Sequence, residues 1–227
     1  MVSEIDERID ELRETGRELP DDLRDRLVED GSEELVDALI EVLEDASLAH
    51  EHPQKAGPPV HAAEVLGQLG AEAAVDPLIE VVVAEGRTTE LGETAAAAVQ
   101  SMESGEVRGE LVRRYRDAES ERVRSRIAEC LVGFVEHDES VDEIFVDQLE
   151  RASGRDQSEA LQELRDKADA SVIPAIREWL AGADLDPTEI PDRNVIQIAA
   201  ETIEALGGEL NEEERELLDA ATISRGK

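Results

Sequence analysis

The sequence predicts an all-α fold, an α-solenoid (α/α superhelix) built from stacked antiparallel helix pairs. Apolar residues recur at helical spacing along most of the 227 residues, and a unit of two short helices recurs with them. Aromatic residues make up 2% of the chain, too few for a typical β-sandwich. These observations favour an array of helices over a sheet.

The segment 60–83, VHAAEVLGQLGAEAAVDPLIEVVV, contains one complete unit. Its first half places apolar residues on one helix face: Ala62, Val65, Leu66 and Leu69. Gly70 is predicted to end that helix, because glycine adopts a left-handed cap at little cost. The second half repeats the spacing with Val75, Leu78, Ile79 and Val82. Two such short helices cannot bury both apolar faces alone, so the units are expected to stack.

An internal repeat supports this interpretation. GSEELVDALIEVL at 31–43 aligns without a gap with GAEAAVDPLIEVV at 70–82. Val36 falls on Val75 and Asp37 on Asp76, so the match covers charge as well as hydrophobicity. A second alignment matches AAVDPLI at 73–79 with ASVIPAI at 170–176. In it Pro174 takes the position of Pro77, near the start of a helix.

The whole chain, 1–227, is predicted to be a single repeat domain. Residues 1–30 form N-terminal capping helices, at 3–18 and 21–29, with Pro20 between them. About five to six repeats follow over 31–221, and 222–227 is expected to be a disordered tail. Proline-rich loops are predicted at 46–59 and 182–192. Further helices are expected at 90–102, around 107–115, and at 120–136, 139–151, 156–168, 170–181, 195–206 and 212–221.

The stretch HAAEVLGQLGAEAAVDPLIEVV resembles a HEAT repeat, of the short HEAT-like type found in phycobilisome (bilin) lyases. That pattern is an Ala-rich first helix, a Leu-Gly-x-x-Gly turn and an apolar second helix. QIAAETIEALGG at 197–208 resembles the same first helix, whereas the likeness is weak at 120–180. The resemblance implies an armadillo/HEAT-like scaffold that binds other macromolecules, and it implies no particular enzymatic activity.

Acidic residues outnumber basic ones 58 to 23, which gives a formal charge of −35. Twenty of the basic residues are Arg, and the three Lys are Lys55, Lys167 and Lys227. This balance is typical of proteins from a haloarchaeon or other halophile, because molar salt screens charges beyond about 3 Å. Disorder, which high charge also favours, fits poorly with 40% hydrophobic residues at helical spacing.

The cysteine content, the N-terminus and the lack of long apolar runs indicate the cellular compartment of the protein. Cys130 is the single cysteine, within IAECLVGF, so no intrachain disulfide can form and a buried thiol is expected. The N-terminus MVSEIDERIDELRE lacks the features of a signal peptide, and no apolar run approaches a membrane span. We therefore expect a cytoplasmic protein, with no membrane contact, and a monomer.

The candidate partner-binding site is a basic cluster at 108–126. It contains seven arginines and one tyrosine: Arg108, Arg113, Arg114, Tyr115, Arg116, Arg122, Arg124 and Arg126. Arg binds carboxylate and phosphate groups with two parallel hydrogen bonds, so the cluster could dock an acidic partner surface. The alternative is a set of intramolecular salt bridges between adjacent repeats, and the sequence leaves both open.

Three other features have less specific interpretations. His50, Glu51, His52, His61 and Glu64 could gather around a metal, but loop histidines without cysteines or a helical HExxH are a weak signal, and we predict no metal or cofactor. Trp179, Phe134 and Phe145 are predicted to be core residues. The acidic region 1–45, which could dock a basic partner, is interpreted as a solvated face.

No nucleophile–base pair, phosphate-binding loop or closed metal site is visible, so no catalytic residue is proposed. We expect a non-enzymatic protein–protein interaction scaffold or adaptor. The alternatives are a bilin-lyase-like or other helical-repeat enzyme or chaperone, and a regulatory subunit of a larger complex. A helical-repeat DNA glycosylase would need a basic, aromatic-lined groove, so the acidic, aromatic-poor chain argues against nucleic acid as the partner.

Overall fold

A computed structural model describes residues 3–45, 57–102, 104–132, 134, 138–152 and 154–223. These residues form helices and connecting turns, and no strand occurs among them. The prediction of an all-α fold of packed helix pairs is therefore confirmed. Two single 3₁₀ turns, Glu72–Ala74 and Ala170–Val172, lead directly into the helices that follow them.

Thirteen α-helices lie within the described ranges. In chain order they are α1 Glu4–Arg13, α2 Asp21–Asp30, α3 Glu33–Glu44, α4 Gly57–Leu69, α5 Val75–Glu85, α6 Glu90–Ser101, α7 Gly105–Asp117, α8 Glu121–Leu131, α9 Glu139–Arg151, α10 Arg155–Lys167, α11 Ile173–Gly182, α12 Ile190–Ala205 and α13 Glu212–Ile223.

The described residues divide into two compact units. The first comprises those within 1–114 and 129–133, and the second those within 115–128 and 134–227. The boundaries fall inside α7 and inside α8. A single continuous array was expected, and that organisation stays a prediction.

The first unit is built around α4 and α6. Helix α4 packs against α3 and α6, α5 packs against α6, and α1 and α2 cover the other end. Its core side chains are small or aliphatic and fully buried: Ala62, Ala63, Val65, Leu66, Leu78, Ile79, Ala95 and Val99. Each large aliphatic side chain removed from water stabilises the fold by roughly 1.5–3 kcal/mol. The apolar stripe predicted for α4 and α5 is thus the core of this unit.

The second unit repeats the arrangement with different helices. Helix α10 packs against α9 and α12, while α12 also contacts α11 and α13. Leu161, Leu164, Ile176, Ala199 and Ile203 are fully buried there. Phe134 and Phe145 are 2% and 4% exposed, so their prediction as core residues is confirmed.

Local signals read from the sequence explain several helix ends. Ser32 is the N-cap of α3, and its hydroxyl accepts a hydrogen bond from the Leu35 amide at 3.4 Å. Gly31 and Gly70, the first residues of the two aligned repeats, have φ values of +54° and +59°. Both therefore adopt the left-handed conformation that glycine reaches without steric cost, which confirms the predicted role of Gly70.

Some predicted boundaries need correction. Gly57, Pro58 and Pro59 were assigned to the loop 46–59 but open α4, where proline costs little because first-turn amides have no partner. Likewise, α12 begins at Ile190, so Pro191 lies in its first turn and not in a loop. Helix α13 continues to Ile223, two residues into the range expected to be a tail.

Candidate protein-binding groove

The basic cluster lies on α7 and α8. Ser104 and Ser120 start these helices, since their hydroxyls accept hydrogen bonds from the amides of Val107 and Val123. The apolar face of α7 is buried through Val107, Leu111 and Val112. The arginines therefore occupy the remaining faces of the two helices. A unit boundary follows Arg114, so Arg108, Arg113 and Arg114 belong to the first unit and the rest of the cluster to the second.

In the first unit, Arg114 makes three ion pairs. Its guanidinium contacts Glu110 on α7 at 2.9 Å, and Glu80 and Asp76 on α5 at 2.6 and 2.8 Å. Partial burial lowers the pKa of Arg114, but the hydrogen bonds to these three carboxylates outweigh burial and raise it. This residue matches the salt-bridge alternative, because it joins two helices of neighbouring pairs.

Arg113 shares one of these carboxylates. Its guanidinium hydrogen-bonds both oxygens of Glu110, with the Nε–Oε2 distance at 2.9 Å. The hydrogen bond from Arg113 is the main reason that the pKa of Glu110 lies below its ordinary value, and Arg114 adds to the effect. Glu110 is thus held as a carboxylate between two arginines. The guanidiniums of Arg113 and Arg114 therefore both have an acid partner.

In the second unit, Tyr115 is buried and not offered to a partner. It is 3% exposed, its hydroxyl donates to Asp147 at 2.8 Å, and it accepts from the Gln148 amide at 2.6 Å. Burial is the main cause that raises the pKa of Tyr115. The ring anchors α7 against α9.

An open groove of about 290 Å³ lies beside Tyr115 in the same unit. It is lined by Tyr115, Arg116, Arg124, Glu143, Ile144, Asp147 and Arg151, from α7, α8 and α9. We call this the arginine groove. Its three guanidiniums face two carboxylates, so its lining is net positive on a chain of charge −35. The structure thereby brings Arg116 and Arg124 together and adds Arg151, which the sequence did not indicate.

Two arginines of the groove hold exposed ion pairs. Arg116 contacts Glu143 at 2.9 Å, and their side chains are 57% and 68% exposed. Arg151 contacts Asp147 at 2.7 Å, one helical turn away. Exposed pairs of this kind stabilise a fold by about 0–1 kcal/mol. A carboxylate of a bound partner can therefore replace Glu143 or Asp147 as the ion-pair partner of these arginines, with little loss in the free energy of folding.

The other arginines of the cluster differ in their roles. Arg124 donates to the carbonyl of Ala118 at 2.6 Å and contacts Glu121, so it also holds the turn between α7 and α8. Arg108 and Arg126 take part in interactions of their own. Arg122 is exposed and makes no ion pair with any residue that the structure describes.

Two members of the histidine cluster, His61 and Glu64, lie within the described residues, and Glu64 pairs with Arg24 at 3.2 Å. His50, Glu51 and His52 lie outside the described residues. His61 is 4% exposed, and its Nε2 lies 3.2 Å from the carbonyl oxygen of Gly16. Burial lowers the pKa of His61. Within the described residues, no three His, Cys, Asp or Glu side chains are arranged to hold a metal ion.

The structure also shows the environments of Cys130 and of the acidic region 1–45. Cys130 is buried as expected, and burial raises its pKa to about 12, so the thiol stays protonated. In the acidic region 1–45, Arg8 pairs with Glu4 and Asp30, and Arg26 with Glu11. Several of these acids therefore serve contacts within and between the first two helices.

Comparison with known families adds one finding, which concerns helices α4 and α5. Residues 60–83 match the family model of the PBS lyase HEAT-like repeat. The match covers the segment whose pattern predicted this repeat type, and it supports a HEAT-like helical repeat. A comparison with curated proteins found no match. In the part of the chain that the structure describes, no helix has the length and apolar character to cross a membrane.

Proposed function

We propose that the protein is a non-enzymatic scaffold or adaptor of HEAT-like repeats, and that its arginine groove binds an acidic segment of a protein partner. The observation behind this proposal is the groove itself. Arg116, Arg124 and Arg151 converge in one concave site on a strongly acidic molecule. Charge-assisted hydrogen bonds from guanidinium to carboxylate are short and about twice as strong as neutral ones.

The charge of the whole molecule favours selectivity at this groove. A chain of −35 repels acidic partners over most of its surface, so binding needs a local positive site. A regulatory subunit of a larger complex, the first alternative, would differ from such an adaptor only in the identity of its partner. A bilin-lyase-like enzyme or chaperone is the second class, and a co-purifying chromophore would favour it.

The partner can be sought by affinity capture from the native host in molar KCl, with three baits. The first is the wild-type chain, and the second carries Arg116→Ser and Arg151→Ser in the groove. The third carries Arg13→Ser and Arg155→Ser, two exposed arginines outside the groove, and loses the same charge. We expect a protein that is recovered by the wild type and the control and depleted at least about fivefold by the groove variant.

The salt-bridge alternative makes a different prediction for the same baits. If the groove arginines serve only internal contacts, the groove variant melts earlier and captures the protein in proportion to its folded fraction. Equal capture by all three baits would contradict the proposal. Arg114 is left unchanged, because its loss would disturb α5 and mix both effects.

We further propose that the acidic surface suits a salt-adapted cytoplasm. Lowering KCl from molar concentrations to ~0.1 M lengthens the screening distance from about 3 Å to about 10 Å. Repulsion between carboxylates then grows, so the melting temperature is expected to fall. Circular dichroism at several KCl concentrations measures it, and an unchanged or higher melting temperature at low salt would refute salt adaptation.

A further inference from the structure

The arginine groove contains an acidic residue at the place where an acidic partner is proposed to bind. Glu143 lines the groove from α9, and its Oε2 lies 2.9 Å from the Nη2 of Arg116 on α7. A carboxylate of the protein itself therefore occupies one of the guanidiniums that a partner carboxylate would contact. Binding at Arg116 then requires an exchange of one acid for another.

The two acids of the groove are held in different ways. Asp147 accepts a hydrogen bond from the buried Tyr115 hydroxyl at 2.8 Å, and its two oxygens lie 2.7 and 2.8 Å from the Nε of Arg151. Displacing Asp147 would leave the Tyr115 hydroxyl without its acceptor, and an unpaired buried polar group is destabilising. Glu143, by contrast, contacts Arg116 alone among the described residues. Glu143 is therefore the acid that a partner displaces first.

The exposure of this ion pair sets how firmly it is closed. The side chains of Arg116 and Glu143 are 57% and 68% exposed. Water competes for both charges, so the paired arrangement is favoured over the open one by a factor of about one to five. The pair therefore opens often enough to admit a ligand, yet it lowers the fraction of molecules in which Arg116 is available.

We propose, building on the proposed function of the groove, that Glu143 is an internal competitor of the acidic partner. Its carboxylate holds Arg116 until a partner carboxylate replaces it, while Asp147 stays with Tyr115 and Arg151. The apparent affinity of the groove is its intrinsic affinity reduced by the fraction of open molecules. Removing the Glu143 carboxylate should therefore strengthen the binding of an acidic ligand by about two- to sixfold.

Such a competitor limits chance occupation of the groove. The chain carries 58 acidic residues, so other copies of it present many carboxylates to an open guanidinium. A single carboxylate only exchanges one ion pair at Arg116 for another. A segment that also contacts Arg124, on the same groove, makes an additional charge-assisted hydrogen bond and gains affinity from the exchange.

The competitor can be tested by titration with a defined acidic peptide. The probe is acetyl-Gly-Glu-Glu-Glu-Gly-amide in 1 M KCl, where a screening length of about 3 Å suppresses long-range repulsion from the acidic surface. Nuclear magnetic resonance shifts of the arginine side-chain N–H groups measure even weak binding in ¹⁵N-labelled protein. We expect Glu143→Gln to bind the peptide about two- to sixfold more tightly than the wild type.

Two further variants separate a specific contact from a general change of charge. Glu150→Gln removes the same charge from an exposed position on α9 that does not line the groove, and it should change affinity less than about 1.5-fold. In an Arg116→Gln background, Glu143→Gln should give no further gain, because its effect passes through that guanidinium. These positions are exposed, and melting curves verify that each variant folds.

The outcomes distinguish the competitor from the groove that it guards. Saturable binding with equal affinity in the wild type and Glu143→Gln would overturn the competitor and leave the proposed function of the groove intact. An equal gain in Glu150→Gln, or a gain that persists without Arg116, would also overturn it by assigning the effect to overall charge. The absence of saturable binding in both the wild type and Glu143→Gln would instead contradict the function proposed for the groove, and the competitor with it.

Discussion

Two helix pairs, one in each unit, reach the same arrangement with different residues. In the first unit α4 leads through the 3₁₀ turn Glu72–Ala74 into α5, and in the second α10 leads through Ala170–Val172 into α11. Pro77 and Pro174 occupy the first turns of the second helices. The family model matches the first pair, at 60–83. The comparison shows that the helix pair does not depend on one sequence pattern.

The ends of the two first helices differ most. Gly70 closes α4 in the left-handed conformation, with hydrogen bonds from the amides of Gly70 and Ala71 back to Gly67 and Leu66. Helix α10 is followed instead by Ala168, whose backbone is extended, and the Asp169 carboxylate caps the next turn by accepting from the Ser171 amide at 2.7 Å. Glycine is thus one of two local ways to make the same turn.

The first helices of successive pairs contact each other in both units, α4 with α6 and α10 with α12. In both contacts a hydroxyl group of the later helix lies near a carbonyl oxygen of the earlier one, and the neighbouring apolar side chains differ. On α6, the Ser101 hydroxyl lies 2.7 Å from the carbonyl oxygen of Ala98 and 3.2 Å from that of Gly67, and on α12 the Thr202 hydroxyl lies 2.8 Å from the carbonyl oxygen of Ile198 and 3.2 Å from that of Leu161. In the first unit Gly67 lets α4 approach Ala98 closely. In the second unit the buried side chains of α10 and α12 include Leu161, Leu164 and Ile203 beside Ala160 and Ala199.

The largest expected effect tests the close approach in the first unit. In Gly67→Ala the new methyl group would lie 2.8 Å from the Cα and Cβ of Ala98, so backbone must shift. We expect a loss of about 1–3 kcal/mol in the free energy of unfolding, measured by urea denaturation in molar KCl. Gly109→Ala is the matched control on α7, where a methyl group meets nothing within 4 Å.

That control should stabilise the protein by about 0.5–1 kcal/mol, because alanine has the higher helix propensity. If Gly67→Ala stabilised the protein as much as Gly109→Ala does, α4 and α6 would have room for the added methyl group. The small-residue interface would then not distinguish the first unit from the second.

A smaller effect compares the two turns. Gly70→Ala meets no atom within 4 Å, so its cost should come from the left-handed backbone alone, about 1–2 kcal/mol. Asp169→Ala removes the exposed capping hydrogen bond from Ser171, together with a further interaction of Asp169, and should cost about 0.5–1 kcal/mol. Thermal melts of both single variants in molar KCl measure the difference, and an equal or reversed order would contradict this account of the turns.

Much of the fold could be predicted because helix patterns are local. The spacing of Val75, Leu78 and Ile79 within α5 and the Ser32 cap of α3 concern residues within one or two turns of each other, and the left-handed Gly31 and Gly70 each depend on their own turn. The predicted helix boundaries were wrong where a proline lies in the first turn of a helix, at Pro58 and Pro191. Proline is common both in loops and in first turns, so its presence does not distinguish them.

The candidate site was predictable only in part. The sequence indicated a basic cluster at 108–126, but it could not tell that Arg114 pairs with Asp76, 38 positions earlier, while Arg116 opens onto a groove. Arg151 stands alone in the sequence and joins that groove through the packing of α9. Trp179 was predicted to be a core residue, and its burial confirms this, although one side of it lines a pocket.

The class of fold, the positions of most helices and the strongly acidic character could be predicted from the residues, because these follow from composition and from interactions between near neighbours. Packing sets which arginines pair within the protein, as Arg114 does, and which line a groove, as Arg116 and Arg151 do. The reason is physical: a charged group's partner depends on distances between residues that lie tens of positions apart, and only packing sets those distances.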